Sequence, residues 1–166
     1  SVSALGLIEG IAFMSDVMAS DLYRGFARRP LLHEVLPGLP PVPGIDLPAY
    51  LDQSIGRLAN PELRHGTAQI VTDGSQKLRQ RLLEPIRACL ERGLACDGLL
   101  VGVAAWMQAA TGRDLAGRPH AATDPLHERT FRIAREAGGD PQALVSGLLS
   151  IEAIFGRDLA ARPALV

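Results

Sequence analysis

The 166 residues predict an all-α domain, and three observations carry that reading. Apolar residues recur at three- and four-residue spacing, sustained polar/apolar alternation is absent, and prolines and capping residues punctuate the periodic stretches. The length suits one compact domain with a substantial core.

The elements follow in order. Val2 to Met18 reads as a first helix with Leu5, Ile8, Phe13 and Val17 among its apolar positions; Gly6 and Gly10 weaken it but permit close helix packing. Ser20-Asp21 is the expected cap of a second helix reaching Leu36, kinked or interrupted at Pro30. "PGLPPVPGIDLP", Pro37 to Pro48, is an irregular connection. Asp46 stands before "LPAYLDQSIGRLA", with Pro48 near a first turn where its missing N–H matters little. Asn60-Pro61 closes that helix and opens a short segment carrying Arg64 and His65.

Leu78, Leu82, Leu83, Ile86 and Leu90 then hold a helical stripe to Gly93, with a kink expected at Pro85. Asp97 is the expected cap of "GLLVGVAAWMQAATG", which is apolar on nearly every side and so reads as a buried central helix. A strand is the alternative for this run, though it is longer than most strands. Gly112 to Pro125 reads as a polar loop. Two helices close the chain, Leu126 to Ala137 and Pro141 to Phe155, the second capped by Asp140.

Composition excludes several functions. Seventeen basic and eighteen acidic residues give a net charge of -1, which argues against nucleic acid or an anionic membrane as partner. No apolar run approaches the ~20 residues of a membrane span. Two cysteines, Cys89 and Cys96, without CxxC spacing, read as reduced thiols in a cytoplasmic protein. His33, His65, His120 and His127 are dispersed, and HExxH, paired CxxC and GK[ST] loops are lacking, so no metal site is expected. No GxGxxG follows a strand, so no dinucleotide site is expected either.

One stretch stands out: "IVTDGSQKLRQRLLEPI", residues 70–86, in which an apolar run ends in a Thr-Asp-Gly-Ser turn and a helix begins with a lysine in its first turns. Gly74 permits a close approach of backbone, and Ser75 is the expected N-cap. The remaining free N–H groups and the dipole favour an anion there. Lys77 at that end is mildly unfavourable for the helix, which favours a role facing a ligand. An exposed lysine at small cost is the alternative.

"NPELRHGTAQIVTDGSQKLRQRLLEPIR" resembles the helical C-terminal domain of the long-chain mannitol dehydrogenase family, most similar to its fructuronate reductase (D-mannonate oxidoreductase) members. "PPVPGIDL", "GVAAWMQAATG", the Asp124–Leu126 "DPL" and "LLSIEAIFGRDL" match in the same order. Together they cover nearly the whole chain. DGSQK with AIFGxDL is the specific part; AAWM alone is not.

The resemblance implies a multi-helical fold like the 6-phosphogluconate dehydrogenase C-terminal domain. It implies an NAD-dependent, metal-free oxidoreductase acting on an open-chain sugar acid or polyol, with NAD held mainly by an N-terminal Rossmann domain of the same protein. The family's catalytic Lys/Asn/His trio is expected just upstream of Ser1, so this chain alone is expected to be inactive. Carried over by position, Lys77, Gln69, Ser75, Gly74, Asp73 and His65 are the expected substrate-binding residues. A structural hydrogen-bonding role is the alternative for Gln69. The chain departs from the family pattern at Gly66, Ala68 and Arg79, where arginine, tryptophan and proline are common. Other functional readings are a mannitol or other polyol 2-dehydrogenase domain and, in a different class, a non-catalytic helical protein-interaction module.

Overall fold

The computed structural model describes residues 2–161, and among them there are eleven α-helices and no strand. These are α1 (Val2–Ile8), α2 (Met14–Ala19), α3 (Asp21–Pro30), α4 (Leu47–Leu58), α5 (Thr67–Val71), α6 (Gly74–Leu78), α7 (Glu84–Glu91), α8 (Asp97–Ala109), α9 (His127–Ala137), α10 (Pro141–Leu149) and α11 (Glu152–Ala160). Ser1, where the reading of an upstream catalytic trio is anchored, lies outside the described residues.

The expected central helix is confirmed. α8 buries Leu99, Val103, Trp106 and Met107 in the main core with Leu83, Ile86, Leu148 and Phe155. Trp106 is 5% exposed and meets Phe155 edge-on, with ring centroids 6.2 Å apart. On its other side Ala105 and Ala109 face Ala4, Leu7 and Ile8 of α1, a seam of mostly small side chains that brings the two helices close. Only a narrow stripe of α8, including Val101, reaches solvent.

The first expected helix is two. Gly10, at φ +78°, adopts the left-handed conformation that ends α1, and α2 restarts after Phe13. Gly6 does serve close packing: a Cβ there would lie 2.3 Å from Cγ2 of Val17. The expected helix Pro141 to Phe155 is also two, parted at Ser150–Ile151, although Asp140 does accept the Gln142 N–H at 3.0 Å.

Prolines widen helices here without breaking them. Pro30 is the last residue of α3, and a π-helical turn, Leu31–Val35, continues directly from it. A second π-helical turn, Arg79–Leu83, joins α6 to α7. Each ends two residues before a proline, Pro37 and Pro85. A proline ring clashes with the carbonyl four residues back, and bonding across five residues moves that carbonyl aside. The bonds Leu36 N–H to Leu31 O and Glu84 N–H to Arg79 O have this longer span.

Two expected caps are replaced. Ser20 sits at the start of α3 without a side-chain bond. Asp97 lies inside α8, not at its cap; the N–H groups of Gly98 and Leu99 instead donate to the two oxygens of Glu34, each at 2.9 Å. Asp46 caps α4 as expected, accepting from Ala49 N–H at 3.1 Å. Cys89 and Cys96 are buried free thiols, and burial pushes both pKa values up.

Candidate functional site

The segment 60–71 packs against α1 and α2, and α6 beyond it packs on α11 and the π-helical turn Arg79–Leu83. Asn60 accepts from Glu62 N–H, and the chain turns at Arg64, a left-handed residue whose guanidinium lies 4.5 Å from the centre of the Phe13 ring. Thr67, buried, donates its hydroxyl to Ile11 O at 2.7 Å and its N–H to Ala12 O at 2.9 Å. These bonds dock α5 beside the break between α1 and α2. His65 and Gln69 are both exposed, and the His65 carbonyl accepts from Met14 N–H at 2.9 Å.

α5 stops after five residues because the backbone reverses. Thr72 is extended and Asp73 left-handed, at φ 58°, a conformation aspartate tolerates better than most residues. Asp73 is exposed, whereas Gly74 and Ser75 are buried. The close approach expected at Gly74 is made by Trp106: an added Cβ would lie 2.5 Å from the indole Nε1.

Two expectations about this turn are corrected. Ser75 makes no cap bond; its own N–H donates to Asp124 Oδ2 at 2.7 Å, so the anion at the start of α6 belongs to the protein. Lys77 is also not a misplaced cation. Its Nζ reaches back to donate to Ile70 O at 3.1 Å and to Thr72 O, carbonyls at the C-terminal end of α5. That end of a helix is negative, which stabilises a cation.

An ammonium group has three N–H donors. Two are used on these carbonyls, and the third has no protein partner among the described residues. Lys77 is half-buried, so the remaining donor is held in one place and not swung freely through solvent. The structure thus brings Lys77 to the same short helix as Gln69. His65 lies two residues before the opposite end of α5.

Asp124, Thr72 and Trp106 shape the turn without having been among the expected site residues. Asp124 lies 49 residues from Ser75, and no periodicity links them. The "DPL" match was its only signal. Among the described residues no group of three or more His, Cys, Asp and Glu is placed to hold a metal ion, and no helix is long and apolar enough to cross a membrane.

A family model described as the mannitol dehydrogenase C-terminal domain matches residues 1–166. The chain is 40% identical over 162 residues to an uncharacterised oxidoreductase of Escherichia coli, YeiQ, covering 98% of this chain and 33% of that protein. It is 38% identical over 155 residues to the D-mannonate oxidoreductase of the same organism, covering 93% of this chain and 32% of the relative. A mannitol 2-dehydrogenase of Pseudomonas fluorescens, solved as a ternary complex with NAD and D-mannitol, superposes with a TM-score of 0.90 at 27% identity over 99% of this chain and 32% of its own. The chain therefore spans about a third of the length of the relatives it matches.

Proposed function

The chain belongs to the mannitol dehydrogenase family, as its C-terminal domain, and from that premise we propose that it is the substrate-binding part of an NAD-dependent oxidoreductase. The proposed reaction interconverts a keto sugar acid and its secondary alcohol, of the D-fructuronate/D-mannonate type, in the cytoplasm. Similarity to a D-mannonate oxidoreductase supports the substrate class. Likeness to the D-mannitol complex keeps a polyol as the second reading.

The observation that carries the proposal is the half-buried Lys77 ammonium, anchored through two donors with a third left over. A fixed cation with a spare N–H suits a carboxylate or hydroxyl of an open-chain sugar acid. Gln69, exposed on α5, adds an amide that can donate and accept. His65 and Asp73 are exposed on either side of α5, within the proposed contact surface, while Gly74 and Ser75 frame the turn that holds Lys77.

The residues described here do not fit a dinucleotide, since they include no strand from which a Gly-rich turn leads into a helix. NAD, which carries the hydride, is assigned by the resemblance mainly to a Rossmann domain elsewhere in the same protein. The proton-transferring Lys/Asn/His trio is likewise assigned, by the resemblance, to residues upstream of Ser1. What this domain contributes is binding and orientation.

The test is Lys77→Ala and Lys77→Met in the full-length enzyme. Loss of one charge-assisted hydrogen bond is expected to lower kcat/KM for D-fructuronate by roughly ten- to a hundredfold, with NADH affinity retained. A larger loss for the hexuronate than for mannitol identifies a carboxylate contact, and equal losses identify a hydroxyl contact. Near wild-type kinetics on both substrates would overturn the assignment. Stability is also expected to fall, by about 1–2 kcal/mol, because the amine serves the C-terminus of α5.

A further inference from the structure

We infer that Asp124 is a positioning residue that acts through Lys77: it fixes the turn whose carbonyls hold the lysine amine. The inference rests on the reading of Lys77 as a substrate contact. Its own ground is a set of bonds between two loops distant in sequence. Asp124 Oδ2 accepts from Ser75 N–H at 2.7 Å, and Oδ1 accepts from Leu126 N–H at 2.9 Å. One carboxylate thus ties the start of α6 to the start of α9.

Its neighbour continues the brace. Thr123 O accepts from Asp73 N–H at 2.9 Å, and Thr123 N–H donates to the Thr72 hydroxyl oxygen at 3.3 Å. That hydroxyl donates in turn to Ala68 O at 3.0 Å, inside α5. Every residue from Thr72 to Ser75 except Gly74 is therefore held by the Thr123–Asp124 loop, and Gly74 is covered by Trp106.

This matters for Lys77 because Thr72 O is one of its two acceptors. The direction of that carbonyl is set by the torsions at Thr72 and by the left-handed conformation of Asp73. Aspartate visits that conformation more readily than most residues, and here the bonds on either side of Asp73 select it. Asp124 imposes it from the α6 side, where the buried Ser75 N–H would otherwise lack an acceptor. When the carboxylate is lost the turn relaxes, Thr72 O swings, and the amine leaves its fixed position without any change in the substrate-facing residues themselves.

The test is a double-mutant cycle in the full-length enzyme, read as kcat/KM for the sugar acid and as KM for NADH. Asp124→Asn keeps the side-chain shape and removes the charge and one acceptor. It is expected to lower kcat/KM about 5–30-fold, mostly through a raised sugar-acid KM, while the NADH KM stays unchanged. In a Lys77→Met background the same substitution is expected to change kcat/KM by less than about twofold, since residues acting as a unit are not additive. Thr72→Val removes the second strand of the brace and is expected to give a smaller loss that also vanishes in Lys77→Met; it carries the test if Asp124→Asn fails to fold. Additive losses in the two backgrounds, a change in the NADH KM, or wild-type kinetics of Asp124→Asn would overturn the inference and leave Lys77 as a substrate contact. A silent Lys77→Met would instead remove the site reading, and the inference with it.

Discussion

Helices α8 and α6 both begin without a side-chain cap of their own, and both are capped by a carboxylate from far along the chain. Glu34 gives both its oxygens to α8, one to Gly98 N–H and one to Leu99 N–H. Asp124 divides its oxygens, one to Ser75 N–H of α6 and one to Leu126 N–H beside its own loop. Each capped start also has a glycine that leaves room for a rigid neighbour: a Cβ on Gly98 would lie 2.3 Å from Pro30 Cγ, and one on Gly74 2.5 Å from Trp106 Nε1. The same local chemistry therefore produces two different things. At α8 it secures a core helix to the bulged end of α3. At α6 it couples two loops, and the coupled turn carries the only lysine of the chain.

The largest stability effect is expected at the first of these. Glu34→Ala leaves two N–H groups of α8 without their acceptor, and hydrogen bonds to charged groups contribute about 1.5–3 kcal/mol each, so a loss of roughly 3 kcal/mol is expected. Denaturant unfolding of the full-length enzyme checks this. Kinetics per folded molecule are expected to stay within about twofold of wild type, because Glu34 holds the first turn of α8, whereas α8 meets the Lys77 turn and α5 further along, through Trp106, Ala105 and Ala109. A large fall in kcat/KM would show that the two helix starts are not independent.

The glycines sharpen the distinction at smaller magnitude. Gly98→Ala and Gly74→Ala each force a methyl against a ring, and overpacking of this kind costs about 1–3 kcal/mol. Similar losses in melting temperature are expected from both. Only Gly74→Ala is expected to lower kcat/KM for the sugar acid, since the Trp106 contact lies beside the Lys77 turn. Matching kinetic losses in both variants would mean that general loosening of the fold, not the turn, controls the site.

The same contrast separates what was legible in the sequence from what was not. Asp46 and Asp140 cap the helices that start beside them, and both were readable because cap and helix are neighbours in the chain. Glu34 and Asp124 act across 64 and 49 residues, a distance over which periodicity carries no information. The all-α class followed from apolar spacing, the absence of polar/apolar alternation and the punctuating prolines and caps, and the buried Trp106 helix from a run apolar on nearly every side. The breaks at Gly10 and Ser150 did not, because the apolar stripe runs on through both. At the site, Lys77 was singled out by its position near a helix start, for a reason that proved incomplete. Its amine belongs to the end of the preceding helix, α5, which residue order alone does not reveal. The side of the turn that faces Asp124 was visible only as the unexplained match "DPL".

A third carboxylate tests how far such contacts depend on charge. Asp158 on α11 accepts from Arg87 Nε at 2.7 Å and from its Nη2 at 3.2 Å, and Nη2 also donates to Phe155 O at 2.8 Å. The hydrogen bonds from Arg87 hold the Asp158 carboxyl at a pKa of about 2; some desolvation opposes this, and the Arg87 charge adds to it. In the unfolded chain the group returns to its ordinary value of 3.8. Between those values the unfolded chain binds more protons, so stability rises with pH across the interval. The contribution is complete above about pH 4 and is lost as pH falls toward about 2. Asp158→Asn is therefore expected to flatten the acid limb of the stability curve in that window and to leave its shape near neutrality unchanged. The effect is expected to be the smallest of those considered, because the carboxylate is exposed and Arg87 keeps its bond to Phe155 O. Raising the salt concentration should bring the wild-type and variant curves together. Parallel acid limbs at low salt would show that the α7–α11 contact is held by the backbone bond alone, with the carboxylate adding nothing that titrates.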